Sequence, residues 1–79
     1  MEIVTGRVVK ALSGRDKQRF FVIVAADARE VFLCDGKRRP LERPKKKNLI
    51  HIAPTSTVLS ERQMATNAAV RKALSTFNT

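Results

Sequence analysis

The stretch FFVIVAA, residues 20–26, is a continuous apolar run of strand length. Its aromatic and β-branched residues favour an extended conformation. A strand with one face in solvent alternates apolar and polar residues, but residues 20–24 contain no polar residue. We therefore predict that this run is a central strand that is covered on both faces.

The residues before this run predict a turn and a first strand. The segment SGRDKQR, residues 13–19, combines Ser-Gly with charged residues, which is the composition of a turn. Residues 3–12, IVTGRVVKAL, are rich in Val and Ile and predict a strand. Gly6 interrupts this strand and indicates either a bulge or a close approach of another backbone.

The residues after the run predict two more strands and a charged connection. VFLC, residues 31–34, reads as a third strand, and DGK closes it with a turn signal. RRPLERPKKKN, residues 38–48, contains two prolines and offers only Leu41 to a core, so we predict an extended connection that is not a central strand. LIHI, residues 49–52, is predicted to be a short last strand that ends at APT.

The spacing of apolar residues changes to that of a helix after Thr66, which is a good N-cap candidate. The predicted buried face consists of Val70, Ala73, Leu74 and Phe77. The predicted opposite side consists of Arg71, Lys72, Ser75 and Asn78. Ser60 and Gln63 have the spacing of a capping box, which predicts a short turn of helix before this one.

Short strands separated by turns predict a mostly β chain that forms a small closed or half-closed barrel. The C-terminal helix is expected to cover one opening or edge. The 79 residues are enough for one small domain. We place the barrel at residues 1–54 and a helical tail packed on it at residues 55–79. Because loops crowd at the ends of a small barrel, segments 13–19 and 36–47 can lie side by side.

The chain has 16 Lys and Arg against seven Asp and Glu, a net charge of +9. Residues 7–19 contribute +4 and residues 36–47 contribute +6, so the rest of the chain has a net charge of −1. Such a clustered excess is typical of a surface that binds a polyanion. The candidate nucleic-acid-binding residues are Arg7, Lys10, Arg15, Lys17, Arg19, Lys37, Arg38, Arg39, Arg43, Lys45, Lys46 and Lys47.

The four Phe residues lie in predicted strands or on the apolar face of the helix, and the chain has no Trp or Tyr. We therefore expect recognition through phosphates, sugars and shape instead of stacking on unpaired bases.

Catalytic, metal and cofactor sites have little support in the sequence. The only histidine and the only cysteine, His51 and Cys34, fall in separate predicted strands, and Cys34 is expected to pack as a small hydrophobe. The three glycines lack phosphate-loop spacing. We predict that the chain is not an enzyme and binds no metal or cofactor.

The sequence also favours a cytoplasmic protein with no membrane partner. No apolar run approaches the ~18 residues of a spanning helix. The N-terminus has an early acid, Glu2, and no long apolar core, so we do not expect a signal peptide.

Residues 6–24, GRVVKALSGRDKQRFFVIV, resemble a KOW motif, in which a strand that opens with Gly, a basic turn with a Gly and a second apolar strand follow one another. The matching residues are Gly6, Val8, Val9, Gly14, Arg15, Asp16, Lys17, Phe21 and Val22. One position departs from the motif, because Gln18 stands where a glycine is usual. Glycine at such a point permits close approach of a backbone to a ligand.

The resemblance extends to most of the chain. VFLCDGKRRPLERPKKKNLIHI, residues 31–52, resembles the second half of the barrel in the fourteen-e family of large-subunit ribosomal proteins. The tail ATNAAVRKALSTF, residues 65–77, is similar to that of small bacterial KOW-domain RNA-binding proteins.

These resemblances imply an SH3-like KOW barrel that binds RNA, either ribosomal RNA or another RNA of translation, on or near the ribosome. The basic turn at residues 14–19 would then contact a phosphate backbone. The alternative is a protein-interaction module, because KOW domains of transcription elongation factors also resemble this pattern and can dock onto proteins. The oligomeric state is open, with a monomer favoured.

Overall fold

The computed structural model describes residues 2–78. The strands are β1 (Arg7–Ala11), β2 (Phe20–Ala26), β3 (Glu30–Cys34), β4 (Lys45–Asn48) and β5 (Ile52–Val58), and the helix is α1 (Asn67–Leu74). Single-turn 3₁₀ helices occupy Leu49–His51 and Arg62–Met64. The strands form one antiparallel sheet in the order β4-β3-β2-β1-β5. The predicted combination of a mostly β chain and a short C-terminal helix is therefore confirmed.

The apolar run at residues 20–24 lies in β2, the middle strand, and both of its faces are covered. Phe21 and Ile23 belong to one buried cluster, and Val22 between them belongs to another. The first cluster, which we call the sheet core, consists of Val9, Ala11, Phe21, Ile23, Val31, Leu33 and Ile52. The second, which we call the helix-side core, consists of Val8, Val22, Cys34, Leu59, Val70 and Leu74. The prediction of a central, doubly covered strand is confirmed.

The C-terminal helix begins and packs as predicted. Thr66 Oγ1 accepts a hydrogen bond of 3.0 Å from the Ala69 backbone N–H. Val70 and Leu74 are buried in the helix-side core. Ser60 and Gln63 form the reciprocal bonds of a capping box before the 3₁₀ turn at Arg62–Met64. Since an eight-residue helix is marginal alone in water, its burial against the sheet is what stabilises it.

The basic run at residues 45–48 is a strand, which corrects the predicted connection. β4 pairs with β3 alone and forms an edge of the sheet. Edge strands tolerate lysines and a preceding proline, here Pro44, because one side of the strand faces solvent. The prediction that this segment is not a central strand is confirmed.

The predicted last strand at residues 49–52 is also wrong in its position. Leu49–His51 form a 3₁₀ turn, because the Asn48 side chain caps it by accepting a bond of 3.0 Å from the Ile50 N–H. β5 begins at Ile52 and continues through Pro54, which an edge strand accommodates. This strand therefore extends beyond residue 54, where we expected the barrel to end.

The predicted strand at residues 3–12 begins later than expected, at Arg7, so Gly6 stands just before β1 and makes the close approach that the sequence offered as one alternative. Its φ is +96°, and a Cβ atom there would lie 2.7 Å from the Leu59 carbonyl oxygen. The β1–β5 pairing also shifts register between Arg7 and Val9, which is a bulge or irregularity. The close approach holds the start of β1 against the end of β5.

Replacing Phe21 by Ala should lower the free energy of unfolding by ~3 to 5 kcal/mol, because its ring is 1% exposed within the sheet core. Phe32→Ala is the matched control, since Phe32 is half-buried and belongs to neither core cluster. Urea denaturation of both variants measures the difference. Equal losses for the two variants would contradict the assignment of Phe21 to the core.

Candidate nucleic-acid interface

The two basic segments meet in space, as the loop-crowding prediction required. Lys45 Nζ donates a hydrogen bond of 3.0 Å to Asp16 Oδ2, and an Arg39 nitrogen lies 3.7 Å from the same oxygen. Lys47 Nζ donates a bond of 2.9 Å to the Ser13 carbonyl. We call the resulting region the basic surface, and it consists of Arg15, Lys17, Arg19, Lys37, Arg38, Arg39, Arg43, Lys45 and Lys47.

The turn between β1 and β2 is ordered by its own backbone. Ala11 N–H donates to the Arg19 carbonyl, and Gln18 N–H donates to the Ala11 carbonyl, so the turn is closed at its base. Gln18 has a φ of +73°, the left-handed region that favours glycine. The cations Arg15, Lys17 and Arg19 remain exposed on this turn.

The turn after β3 is organised by a second buried carboxylate. Asp35 is 5% exposed, and its Oδ1 accepts bonds from the backbone N–H groups of Lys37 and Arg39 at 2.9 and 3.0 Å. This arrangement directs the side chains of Lys37 and Arg38 to solvent. The sequence analysis named Asp16 in the KOW-like turn and predicted a turn at DGK, which contains Asp35, but it did not predict that these carboxylates organise the basic segments.

The three lysines of β4 do not act as one group. Lys45 and Lys47 are half-buried and bind the neighbouring turn, whereas Lys46 is exposed and lies 3.9 Å from Glu30. Alternation along a strand explains this division, because successive side chains point to opposite faces. Lys46 therefore lies outside the basic surface.

Arg7 also lies outside it, and Lys10 lies next to an aromatic ring. Arg7 stands at the other end of β1, where its guanidinium donates to the carbonyls of Glu2, Thr55 and Ser56. The Lys10 ammonium lies 6.0 Å from the centre of the Phe20 ring. Contacts and shared hollows bring together seven of the twelve predicted residues: Arg19, Lys37, Arg38, Arg39, Arg43, Lys45 and Lys47. Arg15 and Lys17 flank Asp16 on the same turn, whereas Arg7 and Lys46 lie apart from this group.

Helix α1 is fastened to the turn after β3. Arg71 Nη1 donates a bond of 2.8 Å to the Gly36 carbonyl, and Asn67 Oδ1 accepts one of 2.8 Å from the Leu41 N–H. A Cβ atom on Gly36 would lie 2.3 Å from the Asn67 carbonyl oxygen, so only glycine fits this contact.

A second fastening holds the chain beyond α1 against β2. Asn78 Oδ1 accepts a hydrogen bond of 2.8 Å from the Phe20 N–H, and its Nδ2 donates one of 2.9 Å to the Phe20 carbonyl.

The sequence had placed Arg71 and Asn78 on the side opposite the buried face. Their spacing from Leu74 could have revealed them, because positions three and four residues away lie next to it on a helix.

The part of the basic surface that follows β3 is concave. A hollow of about 610 Å³ is lined by Lys37, Arg38, Arg39, Pro40, Arg43 and Pro44. The two prolines give this wall a restricted backbone. The shape and the charge of the hollow both suit an extended anion.

Burial and charge act in opposite directions on Asp16. Desolvation raises the pKa of its carboxyl, but the hydrogen bond from Lys45 and the positive charges of Lys45, Arg39 and Lys47 more than offset it. The pKa therefore lies below its usual value of 3.8. Asp16 is ionised at neutral pH and forms a strong link between the two segments.

The described residues show no metal centre. Within residues 2–78, no group of three or more His, Cys, Asp and Glu side chains is placed to hold a metal ion. Cys34 is fully buried in the helix-side core, as expected for a small hydrophobe, and burial raises the pKa of its thiol. Over the same residues, no helix is long and apolar enough to cross a membrane.

Comparison with known proteins assigns no family to the chain. Neither a scan against protein-family models nor a search of curated proteins found a match. The function must therefore be inferred from the basic surface and from the resemblance in the sequence.

Asp16→Asn should destabilise the protein by ~1 to 3 kcal/mol at pH 7, because it removes a hydrogen bond between charged groups. Since the folded-state pKa is lowered, this contribution is present above pH 3.8 and is lost as the pH falls through the folded-state value. Urea unfolding at neutral and acid pH measures the difference between variant and wild type.

The matched control for Asp16 is Glu61→Gln, since Glu61 is exposed and has no ion pair among residues 2–78. A difference for Asp16→Asn that stayed constant as the pH fell would contradict the ion-pair account.

Gln18→Gly should raise the free energy of unfolding by up to ~1 kcal/mol. The left-handed conformation costs a residue with a side chain ~1 to 2 kcal/mol, and the greater freedom of glycine in the unfolded chain offsets part of the gain. Gln18→Ala keeps the Cβ atom and should show no gain. Thermal unfolding of the two variants decides the point, and a less stable glycine variant would contradict it.

Proposed function

We propose that this chain is an RNA-binding protein whose basic surface contacts the phosphate backbone of ribosomal RNA or of another RNA of translation. The observation that carries the proposal is the convergence of two basic segments, 13–19 and 36–47, which contact each other through Asp16 and Ser13. The KOW-like residues of the turn and the ribosomal-protein-like residues after β3 lie in these two segments, which supports RNA as the polyanion.

The charge of the basic surface suits a polyanion. Its nine cations are accompanied by the carboxylates Asp16, Asp35 and Glu42, so the net charge of the region is +6. Six of the nine are exposed and form no ion pair among residues 2–78: Arg15, Lys17, Arg19, Lys37, Arg38 and Arg43. These six are the phosphate-binding residues in the proposal.

Lys45, Lys47 and Arg39 have a different role in the proposal. They hold the two segments together through Asp16 and Ser13. A fixed spacing between the segments lowers the entropy lost when a stiff backbone binds across both. Positioning is thus their main contribution.

The proposal also includes the SH3-like barrel of the resemblance. The sheet core draws side chains from β1, β2, β3 and β5, and it contains no residue of α1. Ile3 and Leu49 of the 3₁₀ turn pack against it. The pairings of β1 with β5 and of β2 with β3 each contain a register shift, and bulges bend strands. Both features support a sheet that curls on itself.

A phosphate-binding role fits the surface better than a protein interface. The centres of protein interfaces carry aromatic or aliphatic anchors. Of the exposed large hydrophobic residues of the described chain, Ile50 and Val58 lie outside segments 13–19 and 36–47, and Leu12 is the residue before the first of these segments. The four Phe residues are buried or half-buried, which favours contacts to phosphate and sugar over base stacking.

The test is a salt titration of affinity for a labelled RNA stem–loop. Each phosphate contact contributes ~0.7 to 0.9 to the slope of log K against log salt. Two double variants, Arg15→Gln with Lys17→Gln and Arg38→Gln with Arg43→Gln, should each lower the slope by ~1.4 to 1.8.

The control is Arg29→Gln with Arg62→Gln, which removes the same charge. Both residues are exposed, Arg29 in the connection between β2 and β3 and Arg62 in the 3₁₀ turn before α1. The control should keep the wild-type slope. Equal loss in all three double variants would mean that affinity follows net charge alone and that the basic surface is not the binding face.

A further inference from the structure

Helix α1 and the basic surface enclose a groove that the sequence did not predict. The groove has a volume of about 170 Å³, and Arg19, Lys37 and Arg71 line it together with Ser75 and Asn78. Its three cations come from three separate elements: the turn before β2, the turn after β3, and α1. A second hollow of about 140 Å³ shares Arg19 and Lys37 and adds Arg38.

The Arg71 side chain is already held in place. Its Nη1 donates a hydrogen bond of 2.8 Å to the Gly36 carbonyl. This bond uses one of the five N–H donors of the guanidinium. The remaining donors and the full positive charge are available to a ligand. A guanidinium that is held in advance loses less entropy on binding a phosphate than a mobile one.

One carboxylate also lines the groove. Asp35 is 5% exposed, and its Oδ1 is occupied by the N–H groups of Lys37 and Arg39. Against this single negative charge stand the three cations of the groove, Arg19, Lys37 and Arg71. The net charge of +2 therefore favours an anion in the groove.

We propose that this groove is a subsite for one phosphodiester group, so that the bound RNA crosses from the basic surface onto α1. This inference rests on the proposed function and extends its binding face. Arg71 is the residue from α1 that contacts the phosphate, and Arg19 and Lys37 contact it from the turns. The tail then forms part of the binding site in addition to covering the sheet.

The test compares two adjacent residues of α1 in the stem–loop salt titration. Arg71→Gln should lower the slope by ~0.7 to 0.9, which corresponds to a roughly five- to eightfold loss of affinity at 0.1 M salt. Lys72→Gln removes the same charge from the next residue, which borders a different hollow with Arg62 and Gln63, and should leave the slope unchanged. Equal slopes for the two variants would overturn the subsite.

A conservative variant separates phosphate contact from support of the Gly36 turn. Arg71→Lys keeps the charge, so it should keep the wild-type slope even where affinity falls by the loss of a bidentate contact. If Arg71→Lys and Arg71→Gln lose equal affinity and both keep the wild-type slope, Arg71 acts only by holding the turn. That result would overturn the inference.

Side-chain NMR distinguishes failure of the subsite from failure of the proposed function. On addition of the stem–loop, the Nε–H signals of Arg19 and Arg71 should shift together with those of Arg15 and Arg38. Shifts at Arg15 and Arg38 without shifts at Arg19 and Arg71 would overturn the subsite and leave the proposed function standing. An RNA that shifts none of these signals and shows no measurable affinity would overturn both.

Discussion

The ion pairs of Asp16 with Lys45 and Arg39 join the two halves of the basic surface. Each cation comes from the segment after β3, and the carboxylate comes from the turn before β2. Like charges would otherwise drive these segments apart, because together they carry most of the positive charge of the chain. One buried carboxylate therefore allows two cationic segments to share a face. The cations that pair with it were predicted from the sequence to bind nucleic acid.

The sheet supports this arrangement because β2 is packed on both sides. The sheet core fixes the register of β1, β2 and β3, and the helix-side core fixes α1 against the same strands. Asn67 and Arg71 then connect the tail to the charged segment after β3, and Asn78 connects it to the start of β2. Apolar packing holds the strands from which the turns before β2 and after β3 extend. Polar contacts with the tail hold the residues next to those turns.

The sequence pattern predicted those elements that depend on neighbouring residues of the chain. The unbroken run at 20–24 identified the central strand, and Thr66 with its apolar spacing identified α1. The strand at Lys45–Asn48 was not predictable, because its pairing depends on β3 and its charged residues alternate around an edge. The charge count found the two basic segments. It could not separate Lys45 and Lys47 from Lys46, because that difference depends on where Asp16 lies in the fold. In the same way, the contact of Arg71 depends on where Gly36 lies.

The bond from Arg71 to the Gly36 carbonyl makes the docking of the tail and the occupancy of the groove thermodynamically linked. Thermodynamic linkage is reciprocal. The free energy by which a docked tail strengthens ligand binding in the groove therefore equals the free energy by which the ligand stabilises docking of the tail. A substitution on the buried face of α1, such as at Leu74, would then change affinity without touching a ligand atom. Conversely, an anion bound in the groove would make the C-terminal helix more resistant to fraying.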